Sequence, residues 1–132
     1  MRPKRIPNRS DVRRAIKFYR RTRQRTSGYT LHCWRGISRS TAFALGFLYL
    51  MTGSENEAKE RLQEIRPDAI PLQLIVVYFD LELGCNLSKV NDAIRKERIE
   101  AWKRELDLAE DMLLEELPSV DDVLEETDID QE

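Results

Sequence analysis

The stretch that decides the fold is Gly28–Ser40, which reads GYTLHCWRGISRS. A short run of β-branched and aromatic residues leads into the chain's single histidine, His32, which is followed by Cys33 and a small loop. The next residues, 42–51, are apolar except for one glycine and predict a buried helix. This order predicts a strand, a loop and a helix. We interpret the loop as an anion-binding site, because the unpaired amides at a helix N-terminus attract an anion.

The residue types in the loop are those that phosphate chemistry needs. Cys33 stands at the start of the loop, where the field of the helix N-terminus favours a thiolate over a thiol. Arg39 carries a planar fork of donors that matches two phosphate oxygens at once. Gly36 lets the backbone turn inward without a Cβ in the way, and Ser40 adds a hydroxyl near the thiolate. The loop is therefore predicted to bind phosphate and to present a nucleophile.

The pattern H-C-x5-R-S at residues 32–40 resembles the signature of the cysteine-dependent protein tyrosine and dual-specificity phosphatases. The continuation SRSTAFALGFLYL and the later stretch at residues 66–71 are similar to the bacterial tyrosine-phosphatase branch of that family. The similarity covers roughly residues 8–86. Leu72 is a departure, because the family usually carries an asparagine after the preceding proline.

The resemblance implies a phosphoprotein phosphatase, of tyrosine or dual specificity, that works through a phosphocysteine intermediate. It implies that Cys33 attacks phosphorus, that Arg39 clamps the phosphoryl oxygens and that Ser40 helps to break the phosphocysteine. His32 supports the loop. The implied phosphate-binding residues are Trp34, Arg35, Gly36, Ile37, Ser38 and Arg39. The substrate would be a phosphorylated protein or a small phosphate ester, with neither a metal nor a cofactor.

The same resemblance implies an α/β phosphatase-like domain, in which helices flank a parallel sheet. The sequence supplies one convincing strand, about Tyr29–His32, together with about five helices that include a long C-terminal helix. In the family's spacing, the upstream strands and the aspartate that protonates the leaving group would fall at or before Met1. Asp11 is too close to the loop and lies at a predicted helix start. We therefore expect a helix-rich, N-terminally truncated enzyme that is slowed by about 10²- to 10⁴-fold.

Three other interpretations of these residues stay open. The same loop is also what a non-catalytic phosphate-binding module, a pseudophosphatase, would use to hold a phosphorylated partner. Cys33 is alternatively a buried structural cysteine. The third rests on charge: residues 1–39 hold thirteen Lys or Arg against one acid, whereas residues 97–132 hold fifteen Asp or Glu against three basic residues. The basic first helix is either a solvated face near a phosphate site or a nucleic-acid surface, and we expect the former.

Periodicity and capping signals predict the first two helices. The first helix begins at an N-cap, Ser10, and runs to about Arg20. Its inward residues are Val12, Ala15, Ile16 and Tyr19. The apolar run at 42–51 is the central buried helix, and Gly46 within it is expected to allow close packing against a neighbouring element. The stretch Thr52–Ser54, with Gly53 at its centre, is predicted to end this helix.

Two further helices follow, each with a start and a stop signal. Ser54 forms a capping box with the glutamate three residues later, at the start of a helix that ends near Ile65. Pro71 suits the first turn of a helix over Leu72–Leu83, and Gly84 ends that helix. The predicted inward residues are Ala58, Leu62 and Ile65 in the earlier helix, and Leu72, Ile75, Val76, Phe79 and Leu83 in the later one.

The pattern divides the chain into a phosphatase-like domain at 1–87, a helix at 88–117 and an acidic tail at 118–132 that we expect to be disordered. Ser88 caps the long helix. An apolar stripe along it, interrupted at Arg98, is either a docking or dimerisation surface or the inner face of a helix laid over its own domain. The stripe consists of Val90, Ile94, Trp102, Leu106, Ala109, Leu113 and Leu117.

Cysteine usage and the first residues of the chain bear on location and partners. Two cysteines give no disulfide framework and suit a reducing cytoplasm. The first ten residues contain no apolar run, so we expect neither a secretory signal nor a membrane span. Cys85 is either a buried packing thiol or a second redox-active one. A lone strand has unpaired edges, so strand or helix pairing with another chain is a further expectation.

Overall fold

The computed structural model describes residues 6–29, 31 and 38–116, and these form five helices. In chain order they are α1 (Arg9–Thr22), α2 (Arg39–Thr52), α3 (Glu55–Ile65), α4 (Gln73–Leu83) and α5 (Leu87–Glu116). The chain divides into two compact units, Met1–Arg98 and Ile99–Glu132. The first four helices belong to the first unit, and α5 contributes residues to both.

The described part of the chain contains no strand and no sheet, so the predicted α/β phosphatase-like domain is wrong. The predicted strand began at Tyr29, whose ring instead packs against Tyr19 of α1 and Phe47 of α2, with centroid separations of 5.5 and 5.2 Å. Its hydroxyl lies 2.8 Å from Oγ1 of Thr22. β-branched and aromatic residues fit a strand only where a neighbouring strand pairs with it. In this chain a helical core takes up the aromatic side chain.

The first helix is capped by Asn8 and not by Ser10. The Asn8 side chain accepts a hydrogen bond from the Asp11 amide at 3.0 Å, and the Asp11 carboxylate accepts one from the Asn8 amide at 2.8 Å. This reciprocal capping box needs an acid three residues after the cap, and Ser10 has Arg13 there. The predicted inward residues of α1 that are buried are Val12, Ile16 and Tyr19.

The second helix is the central element of the first unit and packs against α1, α3 and α4. Its buried residues are Ser40, Thr41, Ala42, Leu45, Gly46, Phe47 and Leu48. The predicted close approach at Gly46 is confirmed. A Cβ added there would lie 2.6 Å from Cδ1 of Phe79 in α4, and closer still to two other atoms of that ring. Met51, at the end of the predicted buried run, is exposed.

Glycines end α2 and α4 as predicted. Gly53 and Gly84 have φ values of 71° and 65°, a left-handed conformation that side chains with a Cβ rarely adopt. The Ser54 hydroxyl accepts a hydrogen bond from the Glu57 amide at 3.3 Å, which confirms the cap. The Ser54 amide, however, donates to Thr52, so the reciprocal half of the predicted capping box is missing.

One predicted core residue of α3 faces solvent. Ala58 and Leu62 are buried, but Ile65 is 71% exposed. Ile65 is the last residue of α3, and the chain turns away directly after it, at Pro67. The predicted inward face is therefore wrong at the final position of this helix.

The start of α5 is capped by a side chain from α4. Asp80 accepts hydrogen bonds from the amides of Leu87 at 2.6 Å and Ser88 at 3.0 Å. A carboxylate in this position satisfies two unpaired donors and interacts favourably with the helix macrodipole. The predicted cap at Ser88 is wrong, because Ser88 lies inside the first turn and its hydroxyl donates to Asn86.

The apolar stripe of α5 is buried in the first unit and exposed in the second. Leu87, Val90 and Ile94 belong to the core of the first unit. In the described part of the second unit, the large apolar residues that are exposed are Ile99, Trp102, Leu106, Leu108, Met112, Leu113 and Leu114. Leu117 and the predicted tail at 118–132 lie outside the described residues. Across the described ranges, no helix has the length and hydrophobicity that crossing a membrane requires.

Candidate phosphate-binding site

The structure describes three of the predicted site residues, and all three lie at the start of α2. Ser38 is the N-cap residue, Arg39 is the first helical residue and Ser40 is the second. Ser40 is buried, whereas Arg39 is exposed. The predicted site residues that lie outside the described residues are His32, Cys33, Trp34, Arg35, Gly36 and Ile37.

The N-terminus of α2 suits an anion. The Ser38 side chain does not cap the helix, and the first turn contains no acidic residue. The first amides of a helix have no partner within it, and the macrodipole adds a positive potential at this end. Within α2, therefore, neither a capping hydroxyl from Ser38 nor a carboxylate competes with a bound anion. Arg39 adds a full positive charge at the same end.

The carbonyl oxygen of Ser38 fixes the start of this helix. It accepts hydrogen bonds from the Ala42 amide at 3.1 Å and from Thr41 Oγ1 at 3.0 Å, both within α2. It also accepts one from the Leu72 amide at 3.1 Å. The residue that precedes Arg39 is thus held both by its own helix and by the segment before α4. Leu72 makes this link through its backbone amide, so the link does not depend on the side chain at this position.

Asn91 of α5 also holds the segment before α4. Its Nδ2 donates to the Pro71 carbonyl oxygen at 3.1 Å and to Gln73 Oε1 at 2.6 Å, and the residue is fully buried. Asn91 was not among the predicted site residues. A signal was present, because Asn91 lies four residues after Leu87 and three before Ile94, and so falls on the inward face of α5. A polar side chain on such a face needs a hydrogen-bond partner.

Tyr29, which precedes the predicted loop, is anchored on α1 and α2. The Tyr29 hydroxyl lies within hydrogen-bonding distance of Thr22 Oγ1 and donates to the Tyr19 carbonyl oxygen at 3.3 Å. Phe18 makes an edge contact with the Tyr29 ring at a centroid separation of 6.0 Å. Tyr29 and Ser38, which lie before and after residues 32–37 in the chain, are therefore both held by the first unit.

Several basic side chains of α1 form ion pairs with carboxylates of the first unit. Arg9 and Arg13 both donate to Oε1 of Glu82 in α4, at 2.5 and 2.6 Å, and Arg14 pairs with Asp11 at 2.5 Å. Hydrogen bonds from Arg9 and then Arg13 hold the pKa of Glu82 below its ordinary value of 4.5. The Asp11 carboxylate accepts a hydrogen bond from the Asn8 amide at the helix cap and pairs with Arg14. Further basic residues of this region are exposed, namely Lys17, Arg20, Arg21, Arg23 and Arg25.

Cys85 has the properties of a packing thiol. Its sulfur lies 3.3 Å from Oδ1 of Asp80 and is partly buried. Burial, followed by the hydrogen bond to the Asp80 carboxylate, raises the pKa of Cys85 to about 12. A thiol of that pKa carries almost no thiolate near neutral pH, so the redox-active alternative for Cys85 is disfavoured.

The chain matches no protein-family model, and comparisons with curated proteins and with solved structures found no match. Among the residues that the structure describes, no group of three or more His, Cys, Asp or Glu side chains is placed to hold a metal ion. The likeness to cysteine-dependent phosphatases therefore rests on the motif residues themselves.

Proposed function

We propose that the chain is a cysteine-dependent phosphatase that hydrolyses phosphate monoesters slowly. The observation that carries the proposal is the position of the motif's arginine and serine. Arg39 and Ser40 begin α2, at a helix N-terminus where Ser38 does not cap and no acid follows in the first turn. This position supports a site in which Cys33, six residues before Arg39, faces a phosphate held at the helix end.

The proposed reaction has two steps. The Cys33 thiolate attacks phosphorus, the ester P–O bond breaks and the alcohol or phenol leaves. Arg39 and the loop amides neutralise the phosphoryl oxygens during this transfer. Water then attacks the phosphocysteine, which releases inorganic phosphate, while the Ser40 hydroxyl stabilises the returning thiolate. The proposed substrates are phosphorylated tyrosine or serine and threonine residues in proteins, or small phosphate esters. A reactive thiolate also requires a reducing compartment, so the proposal includes a cytoplasmic location.

We attribute the slow rate to the lack of assistance in protonating the leaving group. Asp11 is committed to the cap of α1 and to Arg14, so it is unsuited to protonating a departing alcohol. A departing oxygen that takes its proton from solvent, and not from a positioned acid, leaves about 10²- to 10⁴-fold more slowly. Activated aryl phosphates should therefore be hydrolysed faster than phosphotyrosine.

The test measures turnover of a series of aryl phosphates whose phenols differ in pKa. We expect the rate to fall steeply as the pKa of the leaving phenol rises, and Cys33→Ser to abolish turnover while leaving the affinity for phosphate or vanadate unchanged. The matched control is Cys85→Ala, which should keep the wild-type rate. A rate that does not depend on the phenol would reveal a general acid, and an active Cys33→Ser variant would exclude the proposed nucleophile.

A non-catalytic phosphate-binding module is the second candidate, because the same helix end supports binding without turnover. It predicts that phosphate binds and that no aryl phosphate is hydrolysed. Nucleic-acid binding through α1 is a third candidate, supported by the exposed basic side chains at its C-terminal end. The pairing of Arg9, Arg13 and Arg14 with carboxylates weighs against it. Competition between free phosphate and an oligonucleotide distinguishes these candidates.

A further inference from the structure

The second unit carries an exposed apolar stripe along α5. Its residues follow each other at alternating steps of three and four, and they are Ile99, Trp102, Leu106, Ala109 and Leu113. This is the spacing of a and d positions in a heptad repeat, the pattern by which two helices pack along a shared seam. The stripe in the second unit is exposed, whereas Leu87, Val90 and Ile94 in the first unit are buried at the same kind of spacing.

The surface of the stripe has the shape that such packing uses. Four residues, Trp102, Glu105, Leu106 and Ala109, line a shallow depression. They stand at relative positions 0, 3, 4 and 7 along the helix. Four residues at this spacing form the hole that receives a side chain from a facing helix in knobs-into-holes packing.

We propose that this stripe pairs with the same stripe of a second copy of the chain, with the two helices antiparallel. In the register centred between residues 107 and 108, Leu106 faces Ala109 of the second copy, and Trp102 faces Leu113 of the second copy. A large side chain thus meets a smaller one in each layer, which favours interdigitation. The register also decides which charges meet.

Charge complementarity selects this orientation. Lys103 and Glu110 flank the seam at equivalent heptad positions, and both are exposed. In the proposed register, Lys103 lies beside Glu110 of the second copy, and two-fold symmetry repeats the pair. A shift of one heptad would bring Lys103 beside Lys103, or Glu110 beside Glu110. A parallel arrangement would bring Glu105 beside Glu110. The other arrangements therefore place like charges together.

The association should be weak and reversible, because the paired segment of each chain is short. Sedimentation equilibrium of the full chain from about 1 to 100 µM is the test, and we expect a monomer–dimer equilibrium within that range. A chain that stays monomeric throughout overturns the proposal and assigns the stripe to a different occupant, such as residues 117–132 or another protein. Assembly beyond a dimer overturns it as well, since the antiparallel pair is closed.

Two substitutions at equally exposed leucines locate the interface. Leu106→Glu places a charge in the seam and should leave the chain monomeric at all tested concentrations. Leu108→Glu is the matched control, because Leu108 is 63% exposed against 68% for Leu106 and lies about 200° around the helix axis from it. Leu108→Glu should dimerise like the wild type. Circular dichroism confirms that each variant is folded. If both folded variants dimerise alike, or if neither dimerises, the proposed seam is wrong.

A charge reversal tests the orientation. Glu110→Lys sets Lys103 beside a lysine in the antiparallel pair and should weaken dimerisation by about tenfold. The double variant Lys103→Glu/Glu110→Lys restores opposite charges and should recover the wild-type dissociation constant. In a parallel pair, Glu110→Lys would instead face Glu105 and strengthen dimerisation. Tighter association of the single variant, or no recovery in the double variant, therefore refutes the antiparallel register.

Discussion

Replacing Gly46 with alanine tests the packing of the central helix. A Cβ at this position would lie 2.6 Å from Cδ1 of Phe79 and closer still to two other ring atoms, well inside van der Waals contact. The ring cannot swing away easily, because Phe79 is fully buried and makes an edge contact with Phe43 at a centroid separation of 5.9 Å. We therefore expect Gly46→Ala to destabilise the first unit.

The expected size follows from two opposing effects. Forcing a methyl group into a packed core costs typically about 1–3 kcal/mol, and contact with a fixed ring places this case at the upper end. Alanine is a better helix former than glycine by about 1 kcal/mol, which offsets part of that cost. The net loss should be about 2 kcal/mol in the free energy of unfolding, or about 8 °C in the melting temperature.

Thermal and urea unfolding followed by circular dichroism measure this loss. Gly28→Ala is the control, because no atom lies within 4 Å of a Cβ placed there, so its stability should stay within about 0.5 kcal/mol of the wild type. A double-mutant cycle with Phe79→Leu makes the test decisive. Phe79→Leu removes the ring, so the double variant should be more stable than the sum of the single losses by about 1 kcal/mol or more. Additive losses would refute the steric explanation.

Three further predictions concern the charged groups and thiols. Asp80→Ala should lower the free energy of unfolding by about 1–2 kcal/mol in urea titrations, because two amides of α5 lose their acceptor, whereas Ser88→Ala should change it by less than about 0.5 kcal/mol. Equal losses would show that the carboxylate is not the cap. The arginines of α1 lower the pKa of Glu82 in the folded chain. At a pH above the pKa of Glu82 in the unfolded chain, the ionised carboxylate therefore stabilises the fold. This stabilisation is lost as the pH falls through the lower pKa of Glu82 in the folded chain. Unfolding below about pH 4.5 should therefore depend less on pH in Glu82→Gln, and parallel wild-type and variant curves would contradict this. Because the pKa of Cys85 is raised to about 12, rapid alkylation of the native chain near pH 7 should modify one thiol, that of Cys33. The fast phase should be kept in Cys85→Ala and lost in Cys33→Ser. Fast labelling of two thiols would contradict this prediction.

The helices were predictable from local signals, because their main determinants lie within a few residues of each other. Glycine at positions 53 and 84 marks the helix ends, and the observed positive φ values are those that glycine alone adopts readily. The apolar run that became α2 needs burial wherever it lies in the fold. Gly46 in that run indicated a close approach, and the Phe79 ring occupies the space.

Tyr29 and its neighbours alone could not show that the predicted strand would be absent from the described residues. A strand needs partners to receive its hydrogen bonds, and a four-residue pattern says nothing about whether they exist. The aromatic contacts of Tyr29 with α1 and α2 depend on packing between separate elements. The cap of α5 illustrates the same limit, because Asp80 reaches the amide of Leu87 from a different helix.

The candidate site likewise has features that local sequence predicts and features that depend on contacts between distant residues. The position of Arg39 and Ser40 at the start of a helix was predictable, because the apolar run that follows them is a local feature. Their role in phosphate binding stays a prediction. The support behind them was not predictable, because it joins residues far apart in the sequence. Asn91 reaches the Pro71 carbonyl across twenty residues, and the Leu72 amide reaches Ser38 across a larger separation. Tertiary hydrogen bonds from α5 and from the segment before α4 bring these groups together.

The proposed function rests on one covalent step, the transfer of a phosphoryl group to Cys33. Mixing the full chain with an activated aryl phosphate, quenching rapidly in acid and mapping the phosphorylated peptide tests that step most directly. We predict that the intact mass rises by one phosphoryl group, that the group lies on Cys33, and that it accumulates further in Ser40→Ala because breakdown of the intermediate is slower. A phosphoryl group on any other residue, or phenol release by Cys33→Ser at the wild-type rate, would contradict the proposed function.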